Sequence, residues 1–176
     1  PAPASEAGLA RADAAAFILS DRDPATALAG LPHAALWQKL HRSAGRATPT
    51  PLLVTRLPNS RHTLAAVGFL RPQASAFERL ELAGKLMREL VKPGVATLQC
   101  HTAALSGDEA AAALEALASA ALAAAAPMPQ RKSRPSPAPE LRAVHVHGGR
   151  SADLAQAVAV SAGNHLARWL TTLPPN

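Results

Sequence analysis

The sequence predicts an α/β protein: a mixed β-sheet flanked by helices, followed by a long carboxy-terminal connecting helix. Three observations predict it. Short apolar runs bounded by Pro, Gly, Asn or Ser alternate with longer segments whose apolar residues recur every three or four positions. One pair of apolar runs lies close enough to form a hairpin, so the sheet is mixed. The chain then closes on one long helical pattern with no strand after it.

Residues 1–13 read as a flexible leader. Ala14 to Leu19 is an apolar run stopped by Ser20-Asp21-Arg22-Asp23-Pro24, the pattern of a buried strand. Asp21 and Asp23 beside Pro24 read as turn chemistry. A short helix is expected over Ala34–His41, with Leu36, Trp37 and Leu40 on one face. Gly45 and Thr48-Pro49-Thr50-Pro51 end it. The runs Leu52–Leu57 and His62–Phe69 flank Pro58-Asn59-Ser60 and form the hairpin.

From Ala74 to Val91 the helical period returns. Phe77, Leu80, Ala83, Met87 and Leu90 are expected inside, with Glu78, Arg79, Lys85, Arg88 and Glu89 outside. Pro93-Gly94 stops the helix, and Val95–Cys100 is a strand. Ser106-Gly107-Asp108-Glu109 is a capping-box pattern opening an alanine-rich helix with Leu114 and Leu117 on its core face. Pro127–Pro139 holds five prolines among small and basic residues. Leu141–His147 alternates as a strand and ends at Gly148-Gly149. Ser151 caps the last helix, Asp153 favours its dipole, and Leu154, Val158, Ala162, Leu166, Trp169 and Leu173 form its stripe. The domain division is thus a leader over 1–13, an α/β domain over 14–150 with the proline-rich loop 127–139, and a connecting helix over 151–176.

Composition narrows the function classes. Hydrophobic residues make up 48% of the 176, but aromatics only 3%, with no Tyr, so the core must rest on Leu, Val and Ala. A net charge of +6 and a pI near 10.7 fit an acidic partner such as nucleic acid. The basic residues are scattered, however, with the densest group, Arg131, Lys132 and Arg134, in the proline-rich loop. No row of aromatics offers itself for base stacking. The single cysteine, Cys100, rules out an intrachain disulfide or a thiolate cage and fits a reducing, cytoplasmic setting. Its neighbours Val95 and Leu98 mark it as a small core residue. No membrane span is expected: the longest apolar stretch, Ala110–Ala126, contains Glu115. Pro1–Ser5 lacks the basic and apolar regions of a signal peptide.

The residues offer little chemistry. Nucleophile-elbow, HExxH, Walker and GxGxxG patterns are all missing. His145 and His147, two apart on one strand, put both rings on one face and are the best candidates for a zinc pair. A third ligand is not evident, and a polar strand face explains them as well. His33, His41, His62, His101 and His165 read as isolated surface or helix-end residues. The 12 carboxylates form no cluster for hard cations. No catalytic, cofactor-binding or metal residue is assigned.

The last helix carries a resemblance. Ala162-Gly163-Asn164-His165-Leu166-Ala167-Arg168-Trp169-Leu170-Thr171-Thr172-Leu173-Pro174-Pro175-Asn176 resembles the inter-domain junction of the leucyl aminopeptidase family of two-metal exopeptidases. The matching positions are Asn164, Leu166, Ala167, Arg168, Leu170, Pro174 and Asn176. Thr172 departs from the Asn common in that family. Arg131-Lys132-Ser133-Arg134 followed by Leu141–Val146 is similar to the family's basic loop and last amino-terminal strand.

The resemblance implies a macro-domain-like amino-terminal domain concerned with packing and hexamer assembly in the cytoplasm. It also implies a carboxy-terminal catalytic domain of the same protein as partner, carrying two divalent metals (zinc or manganese). The family's Lys-Gly-x-x-x-Asp and Asn-Thr-Asp-Ala-Glu-Gly-Arg segments do not occur here, so no catalytic residue carries over. A basic nucleic-acid-binding module and a small-ligand-binding α/β domain stand as alternatives.

Overall fold

The computed structural model describes residues 4–44, 52–126, 140–148 and 151–171, the last segment from 154 where side chains are concerned. Five strands form one mixed sheet: β1 (Ala14–Ser20), β2 (Leu53–Arg56), β3 (Leu64–Leu70), β4 (Thr97–Ala103) and β5 (Ala143–Val146), in the spatial order β2-β3-β1-β4-β5. β2 and β3 are the antiparallel hairpin; the remaining neighbours run parallel. β1 is central and buried at every position, which is why it reads as an unbroken apolar run.

Helices cover both faces. Ala14, Ala16, Ile18, Ala66, Leu98 and Cys100 point to one core, against α4 (Ala76–Leu90) and α5 (Gly107–Ala125). Ala15, Phe17, Leu19, Ala65 and Val67 point to the other, beneath α1 (Glu6–Leu9), α2 (Pro24–Ala29) and α3 (Ala34–Ser43). Alanines on β1 and β3 let the helices sit close, and the bulk comes from Leu, Phe17 and Trp37, each fully buried one adding about 1.5–3 kcal/mol. α6 (Ser151–Thr171) packs outside this sandwich, on α5.

Four expectations are corrected. Residues 4–13 are a packed part of the domain: Ser5 caps α1, Leu9 is buried, and the buried Thr63 hydroxyl lies 2.9 Å from the carbonyls of both Leu9 and Ala12. The stop after β1 is a helix start: Asp23 caps α2, with Pro24 in its first turn. α4 buries Ala83, Leu86, Met87 and Leu90, whereas Phe77 and Leu80 are exposed, because the buried stripe runs through half-buried Arg79 and Leu82 and leaves those two to one side. α6 turns Ala157, Ser161 and half-buried Leu154 and His165 toward α5. Val158, Leu166 and Trp169 of the expected stripe stay exposed. Small residues won that contact because alanine-rich α5 admits a close approach. The proline-rich loop with Arg131, Lys132 and Arg134, and the junction residues 172–176, lie outside the described residues.

Candidate functional site

The sheet brings its chemistry-bearing residues to the carboxyl half of β4 and β5. The register pairs Gln99 with His145 and Cys100 with Val146, so His101 and His147 fall side by side on the face shared with Phe17. Their rings stack with centroids 4.3 Å apart and planes 6° from parallel. Phe17 stacks on the far side of His101 at 5.1 Å, and Trp37 meets Phe17 edge-on at 6.4 Å. The result is a four-ring column running from α3 to the edge strand. His101 Nε2 lies 3.1 Å from Gln99 Oε1, and the Gln99 amide donates to the Gly8 carbonyl, tying the column to α1. Burial, and secondarily His147, hold the His101 imidazolium pKa down to about 4. Burial and then His145 lower that of His147.

This geometry pairs the rings differently from the sequence expectation. His147 belongs with His101, a residue read as isolated and exposed but in fact buried in the carboxyl half of β4. Imidazole lone pairs lie in the ring plane, so two parallel stacked rings do not converge on one ion. His145 is exposed beside them. Among the described residues no group of three His, Cys, Asp or Glu is placed to hold a metal ion, and the residues described here do not fit a two-metal centre. Cys100 is fully buried, and burial pushes its thiol up to about 12, a core residue rather than a nucleophile.

A cleft of about 420 Å³ opens where β1 and β3 end beside α4. Its polar groups answer one another. Arg71 forks onto Glu78 at 2.7 and 2.9 Å, and Glu81 pairs with Lys85 at 2.8 Å. The Arg71 hydrogen bonds, with those from Ser75, hold the Glu78 carboxyl near 2. Arg71, Glu78, Glu81 and Lys85, paired with one another, offer little to orient a ligand. The other histidines are dispersed. His41 tilts against Phe69, His62 sits exposed at the hairpin turn with φ of 50°, His33 opens α3, and His165 lies against α5.

No protein-family model matches the sequence, and no curated protein resembles it significantly. Solved structures do match the fold. The bottromycin maturation enzyme BotP in complex with Mn is 20% identical, with a TM-score of 0.62 over 93% of this chain and 32% of its own. A second BotP structure gives 18% and 0.60. A tomato leucine aminopeptidase carrying the K354E mutation gives 16% and 0.64, again over 93% of this chain and 36% of its own. The chain thus spans about a third of the length of the enzymes it matches. Its five-stranded mixed sheet with flanking helices and a closing helix is the fold of the amino-terminal domain of the leucyl aminopeptidases.

Proposed function

We propose that this chain serves as the amino-terminal, non-catalytic domain of a metal-dependent aminopeptidase of the leucyl type. The observation that carries the reading is the fold match to about a third of a leucine aminopeptidase chain, joined to the junction-like sequence on α6. The disposition of the carboxylates supports it. Asp13 clamps strand ends, Asp23, Glu78 and Glu109 cap helices, and Glu81 and Glu89 pair with lysines. Carboxylates so committed are not free to bridge two cations and activate water.

On this reading the two divalent ions, manganese or zinc, belong to a carboxy-terminal catalytic domain of the full-length protein. α6 is the connecting arm, and its outer face of Val158, Leu166, Trp169 and Leu170 packs against that domain. The assembled enzyme, a cytoplasmic hexamer, removes amino-terminal residues from peptides. Among the described residues no helix is long and apolar enough to cross a membrane.

The test is hydrolysis of a leucyl anilide. This chain alone, with manganese or zinc added, is expected to give no rate above buffer. The product of the full reading frame, given the same metals, is expected to be active. Turnover by the isolated chain would overturn the non-catalytic assignment. An inactive full-length product would overturn the aminopeptidase reading.

A further inference from the structure

α6 meets α5 along small side chains, and the seam between them holds a cavity of about 280 Å³. Ala123 of α5 and Ala157 and Val160 of α6 give it an apolar wall. Five polar side chains line the same space: Ser119 of α5, and Ser161, Asn164, His165 and Arg168 of α6. The α6 groups come together because Ala157, Ser161, Asn164 and Arg168 recur every three or four positions along one side of the helix, with His165 beside them. Asn164 and Arg168 are exposed and form the mouth, while Ser161 and half-buried His165 lie deeper.

These polar groups stand without partners, unlike Arg71, Glu78, Glu81 and Lys85 in the other cleft. Ser161 is only 8% exposed, and His165 Nε2 is buried with no hydrogen-bond partner. Among the described residues the side chains of Ser119, Ser161, Asn164 and Arg168 likewise make no hydrogen bond or ion pair. Packing alone asks only for small apolar residues at such a seam, as at Ala157. The chemistry of the set names the ligand. Arg168 is a permanent cation that only donates, the hydroxyls and the Asn164 amide add donors, and no carboxylate among the described residues lines the cavity. Donors gathered beside a cation favour an oxyanion, and a guanidinium fork matches a carboxylate. The rest of the wall is alanine and valine, so the rest of the ligand is apolar. The volume lies just under that of drug-sized sites, so the ligand is small.

We infer that the cavity between α5 and α6 binds a short-chain aliphatic carboxylate. The carboxylate pairs with Arg168 and accepts from the neighbouring donors, and the hydrocarbon rests against Ala123, Ala157 and Val160. The site is distinct from the outer face of α6 and holds whether or not the chain belongs to a peptidase.

Titration of this chain with isocaproate, followed by NMR amide shifts in about 0.15 M salt, reads it directly. Saturable shifts confined to residues around the cavity are expected, with a dissociation constant of about 0.1–1 mM. Isocaproamide keeps the hydrocarbon without the charge, and inorganic phosphate the charge without the hydrocarbon. Each is expected to bind at least about tenfold more weakly. Arg168→Gln removes the cation and Ala123→Phe fills the space, both at exposed positions. Each is expected to weaken isocaproate binding at least about fivefold, and circular dichroism establishes that both variants are folded. Because the ligand bridges two helices, at about ten times its dissociation constant it is expected to slow hydrogen exchange in α6 about tenfold. No saturable shift up to about 20 mM isocaproate overturns the proposal, as do shifts centred away from the cavity or a titration unchanged in Arg168→Gln. Phosphate or the amide binding as tightly as the carboxylate overturns it too.

Discussion

His101 and His147 lie face to face, 4.3 Å between ring centroids, with His101 also stacked on Phe17. Burial lowers the imidazolium pKa of both, and protonating either brings a positive charge against the other. The folded His101 titrates near 4 against an ordinary 6.5. Between those values the unfolded chain binds a proton that the folded chain refuses, so stability falls as pH drops through that window and is untouched above it. The loss by pH 4 from His101 alone is about 3 kcal/mol. Urea melts at pH 7 and pH 4.5 check this: His101→Phe, which keeps the stack and removes the proton site, is expected to show a smaller drop between the two pH values. An equal drop in both proteins would refute it.

Asp13 ties three strands at their amino ends. Oδ2 accepts from the backbone of Ala96 at 3.1 Å and of Thr97 at 2.9 Å, and from the Thr97 hydroxyl at 2.8 Å; Oδ1 accepts from Arg61. Partial burial works to raise its carboxyl pKa, but these donors outweigh it and leave the value below normal. Asp13→Ala strands two backbone donors and is expected to cost about 2–3 kcal/mol in thermal or urea unfolding. Asp13→Asn is expected to cost less.

Gly68 on β3 faces Leu82 of α4 so closely that a Cβ there would lie 2.7 Å from a Leu82 methyl. Gly68→Val is therefore expected to destabilise the fold by about 1–3 kcal/mol through overpacking. Adding Leu82→Ala is expected to recover part of that loss, and a double-mutant cycle measures the coupling.

The two sides of α6 are expected to respond oppositely to charge. Ala157 is buried against α5, and Ala157→Glu places a carboxylate there, with an expected loss above about 2 kcal/mol. Leu166 is 62% exposed, and Leu166→Glu is expected to shift the stability of this chain by less than about 0.5 kcal/mol. Chemical denaturation of the two variants side by side decides it.

The sheet was legible because its strands are short apolar runs with punctuated ends. β1, the β2–β3 hairpin, β4 and β5 all appear close to where the pattern puts them. Helix faces were harder. On α4 the period pointed to Phe77 and Leu80, but the buried stripe runs through Leu82, Ala83, Leu86, Met87 and Leu90 and leaves those two to one side. On α6 alanine and serine, which carry almost no signal on a hydropathy scale, form the buried side. α2 was missed because Asp23-Pro24 marks a turn and a helix start equally well. His101 could not be paired with His147 from spacing, since parallel register across a long crossover is set by tertiary packing alone. One clue was available: His101 directly follows the apolar run Val95–Cys100, and a polar ring continuing such a strand needs a partner.

α6 rests on another helix and not on the sheet. Its attachment is thus a single helix–helix seam of small side chains, while the sheet and its flanking helices interlock through two cores. Opening that seam costs only a fraction of the global unfolding free energy, so the molecule behaves as two cooperative units of unequal strength. Backbone amides of α6 then exchange with solvent deuterium before those of the sheet, in a subglobal event that leaves β1 and β4 protected.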